Sequence, residues 1–175
     1  AGMDTNEVIS ATGPALHLAG ATGTQLHKST KLMAASMAQF GDGADQATRY
    51  ADVFTATVNN SLFTTESLME GMKYAGTVGA GFGYTLEETA AAVAMFANLG
   101  LEGSMAGTQL RMALQAAATH TKKKEATLKQ LGLTMADINP EMHSFEDIMI
   151  KVGAAGMSTS QAMEIFGKRS GANIA

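Results

Sequence analysis

The sequence predicts an all-α fold, an irregular bundle of about eight or nine short helices joined by glycine-rich turns. Three observations predict it. Of the 175 residues 46% are hydrophobic, but alanine and 13 methionines dominate that share, with aromatics at 6% and no tryptophan. Alanine has the highest helix propensity, and methionine fills irregular gaps. Apolar residues recur at intervals of three and four, as on one side of a helix, and nothing alternates with period two for long. There are only two prolines, Pro14 and Pro140, so the 19 glycines do most of the punctuation.

Each helix has its own signals. Asp4 with Glu7 fits a capping box, in which a short oxygen side chain and a residue three later satisfy free backbone amides, and it opens a helix near 4–19. Leu26, Met33, Met37 and Phe40 form the stripe of a second helix, 24–40, which Gly41 ends. Ala47, Tyr50, Phe54 and Val58 mark a third over 44–59, and Leu68, Met72 and Ala75 a fourth over 65–79. Thr85 with Glu88 caps the fifth, 85–99, with Leu86, Ala90, Val93 and Ala97 on its apolar side. Leu110, Ala113, Leu114 and Ala117 define the sixth, 104–119. Shorter helices are expected at 122–131, 144–152 and 158–168, the last behind a Ser158–Gln161 capping box. A core of alanine and methionine is expected to be adaptable and loosely specified.

An internal echo divides the chain. Adding 60 to the residue number pairs Thr5 with Thr65, Ala15 with Ala75, Gly23 with Gly83, Leu26 with Leu86 and Met33 with Val93; Gly41 answers Gly100 at an offset of 59. A duplicated helix pair and two amphipathic hairpins of similar length both fit. Residues 1–119 are expected to form a helical core, which under the duplication reading divides into two similar halves, 1–60 and 61–119, with a smaller helical part over 120–175.

Little in the chain points to chemistry. The glycines at 76, 79, 81 and 83 invite a phosphate-cradle reading, but the third arrives one residue early for G-x-G-x-x-G and follows a helical segment, so an interhelical turn using positive φ is expected. His17, His27, His120 and His143 are scattered, and the nearest carboxylate approach, Glu141 with His143, lacks metal-ligand spacing. The absence of cysteine excludes disulfides and thiolate metal sites. No nucleophile elbow is present. Catalytic, cofactor-binding and metal residues are therefore all expected to be none, with no cofactor and no enzymatic activity.

A formal net charge of −4 gives no field that would draw nucleic acid. The basic run Lys122, Lys123, Lys124 and Lys129 lacks neighbouring aromatics for base stacking and reads as a solvated helix face, and Lys168 with Arg169 reads as a C-terminal basic cap. The longest nearly apolar run, Ala90 to Ala97, falls far short of the ~20 residues of a membrane span, and no secretory signal is visible, so the chain reads as soluble.

Several stretches, in order, resemble one family. "TLEETAAAVAMFANLGLEGSMAGTQLRMALQAAA", then "TKKKEATLKQLGL", "FEDIMIKV" and "STSQAMEIFGKRSGANIA" are similar to the core of tail tape measure proteins of long-tailed bacteriophages and prophages, as is the earlier "GATGTQLHKSTKLMAASMAQFG". The likeness covers almost the whole chain. It implies a virion component that occupies the tail tube lumen, sets tail length during assembly and is released at genome ejection. Implied partners are the tail tube protein, tail assembly chaperones and tail-tip or baseplate proteins, with self-association and transient contact with the host membrane also open. The implied setting is the phage tail, after synthesis in the bacterial host cytoplasm. No catalytic residue carries over. The alternatives are a membrane-active or channel-forming segment and a general helical scaffold.

The chain departs from a ruler in one respect. A single helix of this length would extend about 260 Å at 1.5 Å per residue, whereas the glycines cut it into short pieces and no heptad pattern persists. The chain, opening at "AGMDTNEVIS", is expected to be a fragment of a longer protein whose long helices lie elsewhere.

Overall fold

The computed structural model describes residues 5–174, and among these there are ten α-helices and no strand. They are α1 (Thr5–Thr22), α2 (Leu26–Phe40), α3 (Ala47–Asn59), α4 (Thr65–Gly81), α5 (Leu86–Asn98), α6 (Gly103–Ala118), α7 (Lys122–Gln130), α8 (Phe145–Ala154), α9 (Thr159–Phe166) and α10 (Lys168–Ile174). Short 3-10 turns at Ala44–Gln46 and Ala136–Ile138 complete the list.

The starts follow the local chemistry. Thr85 Oγ1 accepts from the Glu88 amide at 3.2 Å while Glu88 Oε2 accepts from the Thr85 amide at 2.8 Å, which satisfies two amides that a helix N-terminus leaves free. The Ser158–Gln161 box forms in the same way. The Asp4–Glu7 box lies outside the described residues. A further box, Thr64 with Ser67, opens α4; serine at the third position is absent from the usual pattern, which names Glu or Gln.

Two expectations are corrected. The glycines at 76, 79 and 81 are not turn residues: α4 runs on through Gly81, and of this group only Gly83 has a positive φ, 84°. Gly76 and Gly79 lie on the buried side of α4, where a Cβ on Gly79 would collide with Thr89 of α5, so these glycines serve close packing. The end of the chain is also more than a basic cap. Gly167, at φ 83°, ends α9, and α10 folds back so that Ser170 Oγ donates to the Gln109 carbonyl of α6 at 3.1 Å.

α4 is the central helix, packed on α2, α5 and α6. It meets α6 backbone to backbone, since a Cβ on Gly107 would strike the carbonyl of Gly71. The predicted stripes of α3 through α6 face inward: Tyr50, Phe54, Leu68, Met72, Val93, Leu110 and Leu114 are all buried. Leu26, assigned to the inner stripe of α2, is instead 41% exposed, because the helix begins there, beyond the neighbours that cover Met33 and Met37. Met33, Met37 and Met72 are buried as fillers, but the largest core side chains are aromatic. Tyr50 meets Phe54 edge-on at 5.9 Å and Phe96 stacks on Phe145 at 5.7 Å, geometries that hold specific positions.

The 60-residue echo of the sequence is visible in α2 and α5. These two helices start 60 residues apart, at 26 and 86. The buried positions of α2 (29, 32, 33, 36 and 37) recur in α5 as 89, 92, 93, 96 and 97. One apolar core, from Ala11 in α1 to Phe166 in α9, runs through the described residues.

Candidate functional site

Three of the four histidines stand beside a charged side chain. His17 Nδ1 is 4.0 Å from Asp52, His120 Nε2 is 3.2 Å from Glu125, and His143 Nε2 is 2.9 Å from Lys151 Nζ. Among the described residues no three His, Cys, Asp or Glu side chains are grouped so as to hold a metal ion. Nor is any described helix long and apolar enough to cross a membrane.

The perturbed groups are joints between helices. Lys28 of α2 donates to Glu66 of α4 at 2.7 Å, and this hydrogen bond is the main reason that the Glu66 carboxyl is lowered from 4.5 to about 2. Asp137 is likewise lowered to about 2, chiefly by the Thr134 hydroxyl and amide, with Lys151 contributing. Arg49 of α3 grips Glu87 of α5 through two bonds of 2.5 and 2.6 Å, which lower the glutamate and raise the arginine. Burial raises the hydroxyls of Tyr50 and Tyr84, which are bound to Asp42 and to the His143 carbonyl.

The lysine run divides. Lys122 and Lys123 are exposed, and Lys123 pairs with Glu164, but Lys124 is only 4% exposed and is a correction to the solvated-face reading. Its ammonium donates to the carbonyls of Ala116 and Thr119 at the end of α6, where free acceptors and the negative helix end favour a cation. Desolvation lowers its pKa. The signal was present: Lys124 and Leu128 are four apart on one helical side, and Leu128 is buried.

One concavity is apolar and bordered by three helices. A cleft of about 500 Å³ lies between α5, α8 and the end of α10, lined by Met95, Leu99, Phe145, Met149, Met157 and Ile174 among others. Shallower grooves flank α5, one against α3 with Val53 and Ala94, another along α8 with Met149 and Ile150. The sequence reading missed this surface, because the residues that form it come from three helices distant in the chain. The described residues thus form a packed helical bundle with an apolar cleft on one side.

Residues 1–169 match the family described as phage-related minor tail protein, and the chain belongs to that family. It is 35% identical over 163 residues, 92% of its length, to the tape measure protein of Pneumococcus phage Dp-1, and 29% identical over 137 residues, 78% of its length, to the probable tape measure protein of Escherichia phage P2. The chain spans 14% and 17% of those two relatives. No solved structure matches it.

Proposed function

We propose that this chain is a folded segment of a phage tail tape measure protein. The family match over residues 1–169 carries the reading, and two relatives named as tape measure proteins support it. The whole protein lies in the tail tube lumen, sets tail length as tube subunits polymerise around it and leaves ahead of the genome. It is a virion component made in the host cytoplasm, and it is not an enzyme. Tube, chaperone and tail-tip or baseplate proteins are its partners.

Within that role the segment is a packed module and not a stretch of the measuring rod. Positive-φ glycines at 23, 41, 83 and 100 end its helices after a few turns. Residues 1–60 and 61–119 are two versions of one helical unit, supported by the shared burial pattern of α2 and α5, and 120–175 form the smaller third part.

Tail length measured by electron microscopy tests both statements. A folded chain of this size is about 40 Å across, from a radius of gyration of about 16 Å. Removing it in frame from the parent gene should shorten tails by about that much or less. Removing an equal length from the parent's long helices should shorten them by about 260 Å. Tails unchanged by the second deletion would overturn the ruler role, and a loss of about 260 Å in the first would overturn the module.

A further inference from the structure

The outer side of α5 combines exposed apolar side chains with carboxylates at its borders. Met95 is 37% exposed, Leu99 59% and, on neighbouring α8, Ile150 61%. Leu62, 73% exposed, is held beside the end of α5 by its amide, which donates to Asn98 Oδ1 at 3.1 Å. Core packing uses none of these four fully. They border the cleft between α5 and α8 and the grooves beside it.

Glu146 on the α8 side and Glu102 at the end near Leu62 each border an accessory groove, while Glu87 on the α3 side is already paired with Arg49. Arg49 stands beside the α3-side groove through its pair with Glu87, whereas the linings of the main cleft and of the grooves that hold Glu146 and Glu102 include no lysine or arginine. The contrast lies between α2 and α4, where Lys31 and Lys73 border a recess of only about 30 Å³. An apolar floor bordered by carboxylates repels acidic partners and complements a partner whose apolar side is bordered by cations.

The shape narrows the partner further. There is no sheet edge among the described residues to which a strand could add, and the backbone of α5 is bonded within its own helix. Grooves between helices take a helix, read through side chains at i, i+3, i+4 and i+7. The 13 residues of α5 run about 20 Å at 1.5 Å each, long enough to align three or four turns of a partner. Met95, Met149 and Met157 line the cleft, and methionine adapts to side chains of differing shape.

We propose that the α5–α8 face is a docking groove for an amphipathic helix of a partner protein whose apolar side is flanked by lysine or arginine. The proposal rests on the assembly role, to which it adds the chemistry of one partner. It is tested by binding and not by tail length, so either can fail without the other.

The probe is a leucine–lysine helical peptide of about four turns, with a leucine–glutamate peptide of the same pattern as control. The purified chain carries ¹³C on its methionine methyls. The lysine peptide should bind and shift Met95, Met149 and Met157 while leaving Met69, beside the α2–α4 recess, in place. Glu146→Lys should weaken binding about tenfold. Glu125→Lys on exposed α7 changes the net charge equally and should weaken it less than about twofold. Equal loss in both variants, equal binding of the glutamate peptide, or shifts spread to Met69 would overturn the groove. So would sedimentation showing that a second copy of the chain already covers Met95 and Met149.

Discussion

Glycine does two unlike jobs in this chain, and substitution separates them. Gly107 sits where α6 touches the backbone of α4, so Gly107→Ala must push the two helices apart and should cost about 3 kcal/mol, at the upper end of overpacking penalties. Gly20 lies inside α1 with open space where a Cβ would stand, so Gly20→Ala should gain about 0.5–1 kcal/mol from helix propensity alone. Urea unfolding of both variants checks the pair, and changes of the same sign would refute it. The sequence reading placed Gly107 in a helix over 104–119 but ended the first helix at 19, one residue short of Gly20, and it did not show which glycine touched a neighbour. That difference depends on where α4 passes, and no local pattern records it. Lys124 was misread for the same reason: its ammonium donates to two carbonyls at the end of α6, those of Ala116 and Thr119, and only the turn between α6 and α7 brings them together.

Helices were legible where their ends carry chemistry. The Thr85 and Ser158 boxes placed the starts of α5 and α9 within a residue, and the stripe residues of α3 to α6 are buried except Val58, which is half-buried. The break between α9 and α10 was less legible, since one glycine in a small-residue run looks like any other until its φ is known. Joints between helices were not legible, because Lys28 and Glu66 are 38 residues apart. That joint makes stability depend on pH. The Glu66 carboxyl is lowered from 4.5 to about 2, so the folded state binds its proton less readily than the unfolded one. Its contribution is present above pH 4.5 and is lost as pH falls towards 2. The melting temperature, followed by circular dichroism, should fall across that window. Glu66→Gln should melt lower at neutral pH and show a shallower fall; a variant with the parent's slope would remove Glu66 from the explanation.

The fold class and the family were both readable from the chain, because capped helices and an ordered set of motifs are local features repeated along its length. The apolar α5–α8 surface was not, because it exists only after three helices meet. Taken together, the helices form a bundle built on one core, in a family whose two matched relatives are named for measuring length. Packing, not extension, is therefore the physical statement on which the proposed module rests. Small-angle X-ray scattering of the purified chain measures it. A bundle of this size has a radius of gyration of about 16 Å, and that is the expected value. A rod made from the same residues, about 260 Å long, would give about 75 Å, and a value near it would show that the helices do not pack against one another.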